Sequence, residues 1–145
     1  MTAMAEPYRL LITGSRDWQD EEAVRFEIAG MTMLHPGLVV VHGACPKGAD
    51  LFAAKACADI GVRQEPHPAQ WRVNGRLDRS AGFRRNAEMV ASGADAAIAF
   101  LAPCSDHRCY RTDPHASHGA ANCADSAERA GIPTMRIVVP PLGAG

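Results

Sequence analysis

The sequence predicts an α/β protein in three layers: a mostly parallel sheet of about five strands with helices on both faces. Three observations carry that prediction. Short apolar runs alternate with helical stretches along nearly the whole chain. The run Leu38-Val39-Val40-Val41 is continuously apolar, as a strand covered on both faces requires. Glycine or proline stands at most of the boundaries, at Gly14, His35-Pro36-Gly37, Gly61, Gly93 and Gly131.

The elements follow in order. Residues 8–13 (YRLLIT) form a first strand that ends at Gly14. After the polar turn Gly14-Ser15-Arg16-Asp17-Trp18, Asp20 caps a helix over about 21–34, with Glu21 and Glu22 favourable in its first turn. Val24, Ile28 and Met31 share its inner face. The second strand is 38–42, and the turn Gly43-Ala44-Cys45-Pro46-Lys47-Gly48 leads into an Ala-rich helix over 49–60. Leu51, Ala54 and Ala58 are its expected inner face. Residues 62–67 make a weaker third strand, and 68–80 a polar connection with Trp71, Asn74 and Gly75. A helix covers about 81–92, a strand 95–101, and a Cys- and His-rich irregular segment 102–117. A helix to residue 130 and a strand over 134–139 complete the domain, with 140–145 as a tail.

Bulk properties narrow the function. A chain of 145 residues suits one domain, with its core over about 8–139. A net charge of -1 disfavours broad binding to nucleic acid or to a membrane surface. No apolar run is long enough to span a bilayer, and residues 1–7 lack the pattern of a secretory signal. Five cysteines, an odd number without framework spacing, fit reduced thiols; the expected location is the cytoplasm.

Right-handed crossovers place the strand-to-helix loops on the carboxyl edge of the sheet, so the pocket is expected there. The turn after the second strand is the strongest candidate. Gly43, Ala44 and Gly48 keep side chains clear, and the next helix directs free N–H groups and its positive dipole end into the turn. Backbone N–H groups of these three residues are the expected phosphate cradle. It is not a Walker loop, because Ala49-Asp50 stand where Lys-Ser/Thr would be required. Gly14, Ser15 and Arg16 offer a turn, a hydroxyl and a guanidinium fork. Arg84, Arg85 and Asn86 open a helix where basic residues oppose the dipole, which a bound anion would explain. Arg16 and Arg85 are expected to neutralise the phosphate, and Asn86 and Asp50 to hold a ribose. Trp71 is either a packing residue or a stacking surface for a base. Cys104, His107, Cys109, His115, His118 and Cys123 are potential zinc ligands, but their spacings match no strong template; no metal and no cofactor are expected.

Three motifs in order, GSRDW, HGACPKGAD and AGFRRNAEMV before DAAIAF, resemble the YspA/YpsA-related branch of the SLOG superfamily, which is named for Smf/DprA and the Lonely Guy enzymes. The resemblance covers roughly 8–139 and implies a Rossmann-like fold, a nucleotide-derived ligand, a bacterial or phage origin and a homodimer. Lonely Guy enzymes hydrolyse the N-glycosidic bond of a nucleoside 5′-monophosphate. Arg85 matches the arginine of their R-K-x-x-M pattern, with Asn86 in place of lysine and Met89 in register. Their P-G-G-x-G-T-x-x-E motif is replaced by Ala102-Pro103-Cys104-Ser105 and the Cys/His segment; His118-Gly119-Ala120 resembles only its G-T step, which makes Gly119 a ligand candidate. Asn122 and Cys123 stand where the Glu would fall. Such hydrolysis needs a carboxylate, so Asp50 or Glu88, with Arg85, would have to supply that chemistry. The reading is a sensor or sequestering module for a nucleotide-derived ligand, with phosphoribohydrolase activity as the alternative.

Overall fold

A computed structural model describes residues 6–106, 108–113 and 115–139. The central sheet holds β1 (Tyr8–Gly14), β2 (Leu38–His42), β3 (Arg63–Pro66), β6 (Ala96–Leu101) and β7 (Thr134–Val138), in the order β3-β2-β1-β6-β7. Every neighbouring pair in it is parallel. The helices are α1 (Glu21–Leu34), α2 (Ala49–Ile60), α3 (Ala81–Ala91) and α4 (His118–Arg129). This is the Rossmann-like α/β arrangement that the sequence predicts.

Strand alternation builds the two cores. Leu10, Ile12, Val40, Ile98 and Phe100 face one side, where Val24 and Ile28 of α1 and Ala53, Ala56 and Cys57 of α2 cover them. Leu11, Val41 and Ala97 face the other, against Met89 of α3 and Cys123 and Ala127 of α4. With both faces buried, the strands need continuous apolar runs rather than alternation of apolar and polar residues. Asp20 caps α1 by accepting the Ala23 N–H at 3.0 Å, and Gly61 ends α2 in the left-handed conformation, both as the sequence predicts.

Two expectations change. The buried face of α2 is Ala49, Ala53, Ala56 and Cys57, not Leu51, Ala54 and Ala58. Ala49 fixes that rotation: a Cβ on Gly14 would collide with the Ala49 Cβ, so β1 and α2 meet at the closest approach a glycine allows. The connection 68–80 is not wholly irregular. It contains a hairpin, β4 (Arg72–Val73) and β5 (Arg76–Leu77), turned by Asn74 and Gly75, both at positive φ. Asn-Gly between two short runs is the sequence signal for such a turn. The tail 140–145 lies outside the described residues.

Strand order reverses beside β1, since its chain continues to β2 on one side while β6 lies on the other. Ligands of open α/β sheets bind in the crevice that this reversal opens at the carboxyl ends of the strands.

Candidate functional site

A cleft of about 660 Å³ lies at that crevice. Its floor is Thr13, Gly14 and Ser15 at the end of β1, and its walls come from the segment 102–117, the β4–β5 hairpin and the first turns of α3 and α4.

Seven of the candidate ligand residues line it: Gly14, Ser15, Arg16, Asp50, Arg85, Asn86 and Gly119. Gly43, Ala44 and Gly48 do not. The expected phosphate cradle after β2 is closed by the protein itself. The Cys45 N–H donates to Asp50 Oδ2 at 3.2 Å, and the Ala44 N–H to His42 Nδ1 at 3.0 Å. Gly48 packs directly on the Ser15 and Arg16 backbone, and the Ala49 N–H donates to the Ser15 carbonyl at 3.3 Å. A Cβ on Gly43 would fall 2.5 Å from Arg85 Nη1 and 2.9 Å from Asp50 Oδ2. Gly43 and Gly48 thus meet other parts of the chain closely, and the Asp50 carboxyl accepts a bond from the turn expected to hold phosphate.

Asp50 is 6% exposed, and its burial pushes the carboxyl above the usual carboxylate range, against the opposing pull of the Cys45 N–H, His42 and Arg85. His42 accepts from Ala44 at Nδ1, so its Nε2 carries the proton and donates to Gln64 Oε1 at 2.9 Å. Arg85 Nη1 donates to the carbonyls of Gly43 and His67, and Nε to Asn86 Oδ1 at 3.0 Å. Asn86, 4% exposed, donates to the Gly119 carbonyl at 3.2 Å and to Asn122 Oδ1 at 3.4 Å. It is a bracket between α3 and α4, and both groups expected to hold a ribose are already engaged. Ser15 is likewise committed: its Oγ accepts the Ala102 N–H at 2.9 Å and pairs with Ser117 Oγ. Glu88 is exposed and stands outside the cleft, beside Arg84 and Gln70. Of the two carboxylates considered for hydrolysis, only Asp50 reaches it.

The cleft carries cationic side chains as well as the acids Asp17, Asp50 and Asp106. Arg16 and Arg79 form no ion pair among the described residues; Arg16 instead lies over the Trp71 ring, 5.1 Å from its centroid. The first-turn residues Gly82 and Phe83 of α3 and His118, Gly119 and Ala120 of α4 line the same space. Neither N-cap side chain bonds its helix; in α3 the Ala81 N–H goes to the Asp78 carbonyl, which leaves the N–H groups of Gly82 and Phe83 and of the first turn of α4 for a ligand. Trp71 packs over Gly82, with one flank open to the cleft. Sequence reasoning missed Arg79 and Ser117; a basic residue just after the Asn-Gly hairpin was the available signal for the first.

The model of the YspA, cpYpsA-related SLOG family matches residues 8–73, from β1 through the hairpin's first strand. The Gene 61 protein of Mycobacterium phage D29 is 38% identical over 135 residues, covering 88% of this chain and 94% of the phage protein. A universal stress protein from Archaeoglobus fulgidus is similar at a TM-score of 0.47 and 18% identity, over 90% of this chain and 94% of that one. The chain belongs to the YspA, cpYpsA-related SLOG family.

Proposed function

We propose that the cleft binds a nucleotide or nucleotide-derived phosphorylated ligand, as a sensor or sequestering module. Family membership supports a nucleotide-related role. The observation that carries the reading is the convergence of Arg16, Arg79 and two uncapped helix N-termini on one cleft at the sheet's reversal point. The phosphate rests on the first-turn N–H groups of α4, around Gly119, with Arg16 and Arg79 as counter-charges. The base stacks on Trp71, which already bears a guanidinium on its ring.

Calorimetric titration with AMP, ADP-ribose and cyclic nucleotides tests this. At least one binds with Kd below about 1 mM, that is, more tightly than ~4 kcal/mol. Arg16→Ala weakens it about tenfold or more, and Trp71→Ala by about 1–3 kcal/mol if a base stacks there. Absence of binding across the panel defeats the reading, and recovery of intact ligand separates binding from turnover.

The hydrolase reading is favoured by one observation: Asp50 presents a buried carboxyl, held above its ordinary range, at the cleft. Incubation with AMP and chromatography for free base decides it. Release no faster than without protein removes it.

A further inference from the structure

We infer that Cys104, Cys109, His115 and His118 form a tetrahedral zinc site that ties the segment 102–117 to the N-terminus of α4. This reverses the expectation from sequence spacing, and it does not depend on the nucleotide reading.

The donor atoms of these four residues all lie within 4.8 Å of one another. Cys104 Sγ is 3.6 Å from His118 Nε2, and Cys109 Sγ is 3.5 Å from both His115 Nε2 and His118 Nε2. The two Nε2 atoms are 3.2 Å apart. Tetrahedral zinc, with Zn–S of ~2.3 Å and Zn–N of ~2.05 Å, sets sulfur and nitrogen about 3.6 Å apart and two nitrogens about 3.3 Å apart. Four of the six edges thus already match a two-thiolate, two-imidazole tetrahedron, and the other two, from Cys104 to Cys109 and to His115, lie within 4.8 Å.

Protonation agrees. His115 Nδ1 lies 2.8 Å from the Asp113 carbonyl, an acceptor only, so Nδ1 carries the proton and Nε2 offers its lone pair inward. A backbone carbonyl on the outer nitrogen is the usual support for a metal-bound histidine. Without a cation, only weak contacts of thiols with imidazole nitrogens hold the cluster together.

The backbone prepares the cluster. The Cys104 N–H donates to the His115 carbonyl at 2.8 Å, the Ser117 N–H to the Ala102 carbonyl at 3.0 Å, and Pro103 pairs with Ala116. These bonds close the base of the segment, while the Cys109 N–H donates to the Asp106 carbonyl at 3.0 Å in the turn that brings the second thiol back. Between the bridge and the tip the described residues form no helix or strand, so a metal adds cross-links to the bond from Ser105 to Asp17. Cys104 and His118 also line the cleft, so the metal would fix one of its walls. Cys57 and Cys123 are buried in the cores, which leaves Cys45 as the other accessible thiol. His107 lies outside the described residues and is not needed to complete the four.

The test uses the full chain purified in reductant. Elemental analysis is expected to find about one zinc per chain. Titration of cobalt(II) into metal-free protein is expected to give the visible bands of a tetrahedral ion and a thiolate charge-transfer band of two-sulfur intensity. Cys104→Ala with Cys109→Ala is expected to abolish that band and the retained zinc. Cobalt spectra of the unaltered chain decide the matter even if the double variant does not fold. Three outcomes overturn the site: no zinc or cobalt retained; an unchanged cobalt spectrum in a folded double variant; or a Cys104–Cys109 disulfide, seen by intact mass, that persists in reductant. Nucleotide binding by a chain that retains neither metal would overturn this site and leave the proposed function standing.

Discussion

The turn after β2 and the segment after β6 leave the same edge of the sheet, and each feeds a helix N-terminus. They treat negative charge in opposite ways. After β2, the buried Asp50 carboxyl fills the hole from within, and Gly43 and Gly48 let Arg85 and the Ser15–Arg16 backbone close over the turn. After β6, α4 begins without a side-chain cap, and the Ser117 hydroxyl turns to Ser15 instead. A glycine-rich strand-to-helix turn therefore announces an anion hole without saying whether ligand or protein fills it. The open hole is the one whose sequence looks least like a phosphate loop.

The largest expected effect separates two glycines on this basis. Gly48 has φ +74 and ψ -149, and a Cβ there would collide with the Ser15 carbonyl oxygen. Gly48→Ala should lose about 2–4 kcal/mol, from backbone strain and overpacking together. Gly119, in the first turn of α4, has no atom of another element within 4 Å of where a Cβ would stand, among the described residues. Gly119→Ala should gain about 0.5–1 kcal/mol by restricting the unfolded chain. Urea unfolding of both variants measures the contrast, and equal stabilities would erase it.

How much of this was legible follows from which forces are local. The sheet and helices were readable because both faces of β1, β2 and β6 are buried, which writes apolar runs such as Leu38–Val41 into the sequence. Helix ends at Gly61 and Asp20 were readable because capping acts within one turn. The rotation of α2 was not, because Gly14 sets it from a distant strand. The fate of Asp50 was equally hidden: a first-turn acid looks the same in sequence whether it faces solvent, a ribose or its own backbone. The Cys/His cluster draws donors from three parts of 102–118, so it has no compact spacing to recognise.

Removing the internal carboxyl should come next in size. Asp50→Ala leaves the Cys45 N–H without its acceptor and Arg85 without its neighbouring carboxyl, at about 1–3 kcal/mol. Asp50→Asn carries a pH signature. The folded carboxyl is held above its unfolded value by burial, so its contribution is full at low pH and is lost as pH rises through the folded value. The asparagine variant should therefore gain on the parent as pH rises. Chemical denaturation at several pH values reads the difference; a trend of opposite sign would mean that Asp50 is held as a well-paired anion.

The smallest effect concerns what braces the closed turn. Arg85 reaches the His67 carbonyl, the His67 ring meets Glu65 at 2.8 Å, and Glu65 accepts two bonds from Arg9 at 2.7 Å each. The Arg9 guanidinium, and then His67, hold the Glu65 carboxyl down at about 2. A depressed folded value means the stabilisation is present above the unfolded value of about 4.3 and is lost as pH falls toward 2. Glu65 is more than a third exposed, so solvent screening limits the pair to about 1 kcal/mol. Between about pH 5 and 2 the parent should lose this amount, whereas Glu65→Gln, lacking it from the start, should lose correspondingly less. Hydrogen exchange locates the change: acid should loosen amides around β3 and the turn after β2 before those of α4. Loosening that begins at α4 would place the weaker brace on the open side and invert the contrast between the two turns.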